Sequence, residues 1–424
     1  MSEMKDSGIE WIGKIPEHWE STRLKFITKI RKEKDFMPEN ACYIGLENIK
    51  SGYNELIDTE TTYDEGKQSV CKTGDVLFNK LRPYLNKVFI APYDAYCTNE
   101  LLVFSDYLGS KKYLRYLMSS QLFIEKVMSI TEGTKMPRAD GDEILSFWII
   151  NPPLEEQQQI VSYLDARCSK IDGAIAQRKA IIEKLKEFKS AVITKAVTKG
   201  LNPDVEMKNS GIEWIGKIPK DWIVKRIKFI ANTGSGTTPN SKTSEYYENG
   251  ALNWIQSGDL YNKVYIDSVS KKITELATKE CRLTYYQAPF IVIAMYGASI
   301  GNVSISLIDG YTNQACCVVI PKYCDNIKFL YYILSVAKTN LIAGSMGGTQ
   351  PNISQEKIRE LRIPIPQIQE QQQIVDYLDS QCAKIDEAIE KQEQAVAKLE
   401  EYRKSVIYYA VTGKIDCRDK ESIA

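Results

Sequence analysis

Histidine is almost missing from this chain of 424 residues, in which His18 is the only one. Ten cysteines are present, but no two have the spacing of a CxxC pair. Zinc sites built from cysteine and histidine need closely spaced ligands, and serine or cysteine nucleophiles usually need a histidine base. The sequence therefore argues against a metal site and against triad-type hydrolysis. The cysteines are expected to be reduced and mostly buried.

Long apolar runs are also missing, since no segment approaches the roughly 18 consecutive apolar residues of a membrane span. The first residues lack the basic-then-apolar order of a secretion signal, so we expect a cytoplasmic protein without a membrane partner. Charge of one sign does not dominate either, because 55 Lys and Arg balance 55 Asp and Glu. Any contact with nucleic acid must then come from local basic clusters, each of which is equally compatible with a solvated face. These clusters are Arg23, Lys25, Lys29, Arg31, Lys32 and Lys34; Lys80, Arg82 and Lys87; and Lys225, Arg226 and Lys228.

Three short motifs resemble catalytic or nucleotide-binding signatures without completing them. Residues 151–154 (NPPL) lack the aromatic fourth residue that stacks on a flipped base in amino-methyltransferases. Residues 203–208 (PDVEMK) crowd a nuclease-like acidic pair into one linker, and residues 233–237 (TGSGT) match neither a P-loop nor GxGxxG. We interpret the first as punctuation before a helix and the second as a linker. No catalytic residue, metal or cofactor is predicted in this chain.

An internal repeat is the strongest signal in the sequence. Residues 4–16 (MKDSGIEWIGKIP) recur at 207–219 as MKNSGIEWIGKIP, with 12 of 13 positions identical. A second pair of similar segments begins at Glu155 and Gln369. The segments between them, roughly 30–150 and 230–364, share little identity beyond short pairs such as Thr98-Asn99 and Thr312-Asn313. A duplicated scaffold with a diverged middle suits a protein that reads two different targets through two similar domains.

The second repeated segment predicts a long helix in each copy, at 152–200 and 366–415. Prolines lie just before each segment, and apolar residues then recur in alternating steps of four and three, as in a coiled coil. The predicted seam consists of Leu164, Cys168, Ile171, Ile175, Ile182 and Leu185 in the first copy and Leu378, Cys382, Ile385, Ile389, Val396 and Leu399 in the second. Polar residues interrupt both seams at matched positions, Arg178 and Lys189 against Gln392 and Arg403. The alternative is a pair of shorter amphipathic helices that pack on separate domains.

The variable segments predict a mixture of strands and helices. Short runs at 76–78, 87–90, 101–104, 290–293 and 303–305 have the length and residue types of strands. Residues 113–128 and 327–342 have a helical pattern. The predicted fold class is α+β, with two mixed α/β domains at 1–151 and 201–365 separated by two long antiparallel coiled-coil helices, in a pseudo-two-fold internal repeat. A tail follows at 416–424.

Several motifs in this order resemble the specificity subunit of a type I restriction-modification enzyme, over essentially the whole chain. They are residues 211–219 with their first copy, residues 74–85 (GDVLFNKLRPYL), residues 254–260 (WIQSGDL) and the two QQQIV segments at the helix starts. The resemblance implies two target-recognition domains, each reading half of a split, asymmetric sequence in double-stranded DNA. It also implies separate modification (methyltransferase) subunits that use S-adenosylmethionine to methylate adenine. Separate restriction subunits would use ATP and Mg²⁺ to translocate and cleave DNA.

Candidate DNA contacts are polar residues in two places of each copy. One place is a turn between two strands, and the other is a short segment that follows a glycine. Arginine and lysine suit phosphate and guanine, whereas asparagine and glutamine suit adenine. The candidates are Lys80, Arg82, Tyr84, Asn86, Lys87, Lys135 and Arg138 in the first copy and Tyr296, Ser299, Asn302, Gln350 and Asn352 in the second.

Three alternatives remain at this point. The chain is also compatible with the recognition subunit of a system in which one partner both cleaves and methylates. A coiled-coil scaffold whose end domains bind proteins is a second alternative, and an enzyme with an unrecognised site is the third. Only the last one predicts that the chain alone modifies DNA.

Overall fold

The computed structural model describes residues 3–59, 61, 65–261, 263–322, 326–343 and 352–417. The chain divides into two compact units. Unit 1 comprises Met1–Ala180 and Gln392–Ala424, and unit 2 comprises Ile181–Lys391. Each unit therefore holds one variable segment and part of both long helices. Within the described residues, no helix combines the length and the apolar character that a membrane span requires.

Unit 1 is a mixture of short strands and helices. Its strands are β1 (Met4–Asp6), β2 (Lys14–Pro16), β3 (Glu20–Arg23), β4 (Lys29–Ile30), β5 (Lys34–Phe36), β6 (Tyr43–Ile44), β7 (Lys67–Cys71), β8 (Val76–Asn79), β9 (Val88–Ile90), β10 (Ala95–Cys97), β11 (Leu101–Ser105) and β12 (Trp148–Asn151). Its helices are α1 (Lys111–Ser119), α2 (Gln121–Met128), α3 (Gly141–Ser146) and the first part of α4 (Leu154–Lys199). The strands form sheets in the orders β5-β7-β10-β6 and β4-β11-β8-β9, with β1 paired to β2 and β3 to β12.

The core of unit 1 lies between its sheets and helices α1 and α2. Every residue of β8 and β11 is buried, because both faces of these strands are covered. Helix α1 packs on β8 and β9. The predicted helix at 113–128 is broken in two at Ser120, whose side chain accepts a hydrogen bond from the Phe123 amide and so starts a new helix.

Unit 2 repeats this plan with additional elements. Its strands are β13 (Met207–Asn209), β14 (Lys217–Pro219), β15 (Ile223–Arg226), β16 (Ala231–Ser235), β17 (Leu252–Ile255), β18 (Tyr265–Ile266), β19 (Lys272–Ile273), β20 (Phe290–Ala294), β21 (Val303–Ser306), β22 (Tyr311–Thr312), β23 (Cys316–Pro321) and β24 (Arg362–Ile365). Its helices are α5 (Ile227–Ile230), α6 (Glu275–Glu280), α7 (Ile327–Val336), α8 (Lys338–Ala343), α9 (Gln355–Glu360) and part of α10 (Ile368–Val411). The sheets have the orders β16-β23-β20-β21-β18 and β19-β17-β22.

Strand register shows that the variable segments share one scaffold. Asn79 at the end of β8 pairs with Leu101, and Ala294 at the end of β20 pairs with Cys316 at the same place in the second copy. The strand runs predicted at 76–78, 87–90, 101–104, 290–293 and 303–305 fall on strands, except that Lys87 precedes β9. The mixed α+β fold class and the internal repeat predicted from the sequence are thereby confirmed.

Helices α4 and α10 are continuous over 46 and 44 residues, which rules out the alternative of two shorter helices. A rise of 1.5 Å per residue makes each of them roughly 65–70 Å long. In unit 1, Arg403 of α10 bonds Asp172 of α4 at 2.8 Å, and Arg178 bonds Gln392 at 2.8 Å. The numbering of α10 falls as that of α4 rises, so the two segments run antiparallel. In unit 2, Lys189 of α4 bonds Asp386 of α10 at 2.7 Å.

The predicted seam residues lie on the inner side of the helices. Leu185, Ile389 and Leu399 are half-buried. The remaining ones are buried: Leu164, Cys168, Ile171, Ile175, Ile182, Leu378, Cys382, Ile385 and Val396. Burial of these side chains is the main stabilising term for helices of this length, because local helix propensity alone is weak.

Glycines end both long helices against the repeated N-terminal segment of the same unit. Gly200 and Gly413 have φ of +75° and +68°, which favours glycine at the end of a helix. A Cβ atom at Gly413 would lie 2.5 Å from Cδ of Pro16. In the same places, the indole of Trp19 donates to Glu156 and that of Trp222 donates to Glu370, both at 2.9 Å. The two repeated sequence segments are thus packing partners in each unit.

Candidate DNA interface

The turn between β8 and β9 in unit 1 is held from inside by Asn79. This side chain is fully buried and donates to the carbonyl oxygens of Leu81 and Arg82 at 3.1 and 2.9 Å. Its Oδ1 accepts a hydrogen bond from the Lys87 amide at 2.8 Å. Arg82 and Asn86 have φ of +52° and +47°, a left-handed conformation that is uncommon outside glycine. The Asn79 side chain therefore replaces the ladder bonds that the turn interrupts.

A second segment, distant in sequence, packs on this turn. The Ala139 amide donates to the Lys80 carbonyl at 2.9 Å, and the Arg82 amide donates to the Pro137 carbonyl at 2.7 Å. Leu81 and Arg138 form a β-bridge. The structure thus joins the two groups of candidates in unit 1, the turn at 80–87 and the segment at 135–138, into one surface. We call this surface the unit 1 turn surface.

Candidate side chains in unit 1 fall into two classes. Lys87 Nζ donates to the Leu46 carbonyl at 2.5 Å, and burial lowers its pKa. Asn86 Nδ2 donates to the Ser119 carbonyl at 2.8 Å, and Arg138 pairs with Glu100 at 2.8 Å. These three side chains are occupied by contacts inside the protein. No hydrogen bond or ion pair within the described chain engages the side chains of Lys80, Arg82, Tyr84 and Lys135. Tyr84 and Lys135 are exposed, whereas Lys80 and Arg82 are half-buried and Nε of Arg82 is buried.

The matching turn in unit 2, between β20 and β21, is held by backbone bonds. The Ala294 amide donates to the Asn302 carbonyl at 2.9 Å, and the Gly301 amide donates to the Ala294 carbonyl at 2.8 Å. Asn302 Oδ1 accepts from Lys338 Nζ at 2.7 Å. Ser299 is buried, and burial raises the pKa of the half-buried Tyr296.

The segment that begins at Asn352 packs on this second turn as 137–139 does on the first. The Ile353 amide donates to the Met295 carbonyl at 2.8 Å, and Asn352 is exposed beside it. Gln350 lies outside the described residues. Tyr296 and Asn352 thus lie together, and we call them the unit 2 turn surface. Ser299 is buried and Asn302 is bonded to Lys338, so neither belongs to this surface.

Two amide side chains in unit 2 escaped the sequence analysis. Strands β17 and β22 run parallel with Ile255 opposite Thr312, so Gln256 and Asn313 follow side by side at their ends. Nε2 of Gln256 and Oδ1 of Asn313 are buried and have no hydrogen-bond partner within the described part of the chain. The repeated Thr-Asn pair was the available signal, but only the pairing of β17 with β22 shows that Gln256 is its neighbour.

The corresponding place in unit 1 differs. Its parallel strands β6 and β10 are followed directly by Gly45 and Thr98, with Asn99 one residue further on, so no amide side chain stands at either adjacent position. Asn99 is occupied, since its Nδ2 donates to the Lys67 carbonyl at 3.1 Å and its Oδ1 accepts from the Ser69 hydroxyl at 3.0 Å. Because both atoms are buried, they present no donor or acceptor to the major-groove edge of adenine in this conformation. At this place unit 2 has two unpaired buried amide atoms, whereas Asn99 of unit 1 is bonded.

Several residues of the basic clusters are paired with carboxylates. Arg31 bonds the buried Asp75 at 3.0 Å, and this hydrogen bond is the main reason why the pKa of Arg31 is raised. Arg226 and Lys228 both pair with Glu360, and the bond to Lys228 lowers the pKa of Glu360. These cations stabilise the fold locally and are poor candidates for phosphate contacts. Among the described residues, no group of His, Cys, Asp and Glu side chains is arranged to hold a metal ion.

Comparison with known proteins identifies the scaffold. Residues 16–187 and 219–399 match the type I restriction modification DNA specificity domain. The chain is 38% identical over 168 residues to the type I restriction enzyme MjaIX specificity subunit of Methanocaldococcus jannaschii, a match that covers 39% of this chain and 38% of that protein. It is 26% identical over 422 residues to the MjaVIII specificity subunit of the same organism, covering 95% of this chain and 94% of that protein.

A solved structure has the same fold. The protein is similar, with a TM-score of 0.71 and 18% identity, to a chain from a structure that concerns complex assembly and conformational transition of the type I R-M system. The similarity covers 95% of this chain and 99% of that one. The family match spans most of the sequence and both copies of the repeat, and so the chain belongs to the type I restriction-modification DNA specificity family.

Proposed function

We propose that this chain is the sequence-specific DNA-binding subunit of a type I restriction-modification complex, and that each unit reads one half of a bipartite, asymmetric target in double-stranded DNA. The observation that carries the proposal is the pair of turn surfaces. One scaffold presents Lys80, Arg82 and Lys135 in unit 1 and Tyr296 and Asn352 in unit 2. Different side chains at equivalent places suit different bases, which is why the target would be asymmetric.

In this proposal the chain selects the DNA sequence and catalyses no reaction. Partner modification subunits would methylate adenine with S-adenosylmethionine, and partner restriction subunits would cleave DNA with ATP and Mg²⁺. The protein would act in the cytoplasm, where its DNA and partners are. Incubating the chain alone with DNA, Mg²⁺, ATP and S-adenosylmethionine should give neither cleavage nor methylation, and either activity would contradict this assignment.

Replacing Arg82 tests the base-reading role of the unit 1 turn surface. The substitution Arg82→Asn suits the left-handed backbone at this position better than alanine does. Loss of a guanidinium that contacts guanine or phosphate should weaken binding by about 1–3 kcal/mol and relax the first half-site only. Methylated adenines mapped in cells that carry the complete complex give the readout.

A matched control exists in unit 2. Arg282 also has a left-handed conformation, with φ of +50°, but lies outside the turn. The variant Arg282→Asn should leave both half-sites unchanged. Unaltered affinity and an unaltered methylation pattern in Arg82→Asn would count against the assignment of Arg82.

We also propose that the spacer helices set the number of unread base pairs between the half-sites. The antiparallel pairing predicts that a heptad inserted after Glu187 needs a second heptad in α10, for example after Glu387, to keep the seams matched. The double insertion should lengthen the unread gap in the methylated motif. A gap of unchanged length in a complex that still methylates would reject this role of the helices.

A further inference from the structure

The repeated QQQIV segment contains a glutamine that joins each long helix to the variable segment of its own unit. Gln157 of α4 is 2% exposed, and Gln371 of α10 is 1% exposed. Oε1 of Gln157 accepts from the Ser110 amide at 2.9 Å, and Nε2 donates to the Pro152 carbonyl at 2.9 Å. In unit 2, Gln371 makes the same two bonds, to the Asn326 amide at 3.0 Å and to the Pro366 carbonyl at 3.1 Å.

An aspartate two turns further along each helix makes a second matched contact. Asp165 accepts from Lys112 Nζ at 2.8 Å and from the Tyr116 hydroxyl at 2.7 Å, both on α1. Asp379 accepts from Lys328 Nζ and, at 2.7 Å, from the Tyr332 hydroxyl, both on α7. Ser110 and Asn326 are the N-cap residues of α1 and α7. Each long helix therefore bonds one helix of the variable segment both at its N-terminus and along its side.

These contacts are more specific than packing requires. Burial of two apolar helix faces would allow small sliding and rotation, because dispersion and hydrophobic contacts have no preferred direction. Charge-assisted hydrogen bonds to a carboxylate fix both distance and angle. The glutamine and the aspartate recur on both long helices, although most of the variable segments has diverged.

We infer that Gln157 with Asp165, and Gln371 with Asp379, are positioning residues that fix the angle of each base-reading segment on its spacer helix. The inference rests on the proposed function and extends it to the choice of target. With a fixed angle, the complex accepts only one number of base pairs between the half-sites. With a loosened angle, the complex also accepts gaps one base pair shorter or longer, while the bases read in each half-site stay the same.

The experiment uses the complete complex with its modification subunits. A plasmid library would carry the two mapped half-sites separated by the natural gap or by gaps one and two base pairs shorter or longer, and methylation is measured for each gap. We expect Asp165→Ala to raise methylation at the neighbouring gaps roughly tenfold over wild type, the factor that one charge-assisted hydrogen bond contributes. Asp379→Ala should act in the same way. Asp165→Asn should have a smaller effect because its amide oxygen still accepts from Tyr116.

Glu183→Ala is the matched control, since this carboxylate on α4 pairs across one helical turn with Lys186 of the same helix and should leave the gap profile narrow. A profile as narrow as that of wild type in both alanine variants overturns the inference. So does an equal broadening in Glu183→Ala, because any weakening of the helix would then suffice. If the alanine variants fail to assemble, an unchanged profile in Asp165→Asn overturns it. A wild-type complex that methylates no two-part motif would instead contradict the proposed function.

Discussion

Arg403 and Lys189 occupy the same position of the repeat and make different contacts in the two units. In unit 1, Arg403 is buried, bonds Asp172 on the facing helix, donates to the Gly52 carbonyl at 3.0 Å and stacks over the Tyr53 ring at 4.5 Å. In unit 2, Lys189 bonds both carboxylate oxygens of Asp386 at 2.7 Å. The side chain of Arg403 is 11% exposed and that of Lys189 is 28% exposed. Arginine, with its planar fork, can bond a carboxylate and a carbonyl together, whereas lysine acts as a point charge.

The turns of the two units also differ in the groups that hold them. Both turns close through a backbone bond, from the Asn79 amide to the Lys87 carbonyl and from the Ala294 amide to the Asn302 carbonyl. The first turn has in addition the buried Asn79 side chain, which bonds the turn from inside, whereas the second has alanine at this position. The helix contacts of Gln157 and Asp165 are, in contrast, the same in both copies. The two units therefore share the attachment of the variable segment and differ in its outer face. We expect substitutions at matched positions to have unequal effects wherever the two units differ.

The largest difference is expected between Arg403→Ala and Lys189→Ala. Removing Arg403 leaves Asp172 and the Gly52 carbonyl without a partner in a half-buried place, which should cost about 3 kcal/mol of local stability. Removing Lys189 breaks a more exposed pair and should cost about 0.5 kcal/mol. Hydrogen exchange of the amides at 50–55 and in both long helices gives the readout. Equal losses of protection in the two variants would show that the contacts of Arg403 with Gly52 and Tyr53 do not contribute to local stability.

A smaller effect is expected from Asn79→Ala. The carbonyl groups of Leu81 and Arg82 and the Lys87 amide would lose their partner, at a cost of about 2 kcal/mol. The unit 1 turn should then become mobile, and methylation should lose discrimination at the first half-site. The second half-site, which unit 2 would read through a turn that has alanine at this position, is the internal control. Loss of discrimination at both half-sites would indicate a general defect in folding.

Gln256→Gly gives unit 2 the residue that unit 1 has at Gly45. Nε2 of Gln256 and Oδ1 of Asn313 are buried, so they can read adenine only where DNA binding exposes them; in that case the change should cost about 1–2 kcal/mol of discrimination at one position of the second half-site. The first half-site should be unchanged. Methylation mapping that shows the full second half-site intact would remove this pair from the proposed interface.

The exchange of Arg403→Lys with Lys189→Arg should have the smallest effect. Lysine at 403 keeps the pair with Asp172 but loses the second bond and the stacking on Tyr53, for about 1 kcal/mol. Arginine at 189 should change stability by less than about 0.5 kcal/mol, because its partner is exposed. Thermal unfolding of the two single variants and of the double variant tests whether the effects add, as they should for separate sites.

Much of the scaffold was readable from the pattern of residues. The repeat, the long helices and the strands at 76–78 and 290–293 follow from periodicity and composition, which act locally along the chain. The break at Ser120 was missed because a helical pattern continues across it, and only the cap shows the new start. The order of domains along the sequence also hides that each compact unit takes parts of both long helices.

The candidate site was harder to predict. The sequence marked the turn at 80–87 but could not separate Lys80, whose side chain has no partner among the described residues, from Lys87, whose ammonium bonds the Leu46 carbonyl. It gave no sign that Gln256 and Asn313 are neighbours, since 57 positions separate them and strand pairing is not local. Side-chain direction depends on the partner strand, which the residues near it in sequence do not specify.

The sequence by itself determined that this protein is a duplicated scaffold with two long seam-bearing helices, because hydrophobic spacing and internal identity are properties of the chain alone. The tertiary structure decided which polar side chains are hydrogen-bonded within each unit and which remain available at its surface. It also showed that the repeated glutamine and aspartate hold the variable segment on the helix. Hydrogen-bond partners far apart in sequence settle these points, and only folding brings such partners within reach.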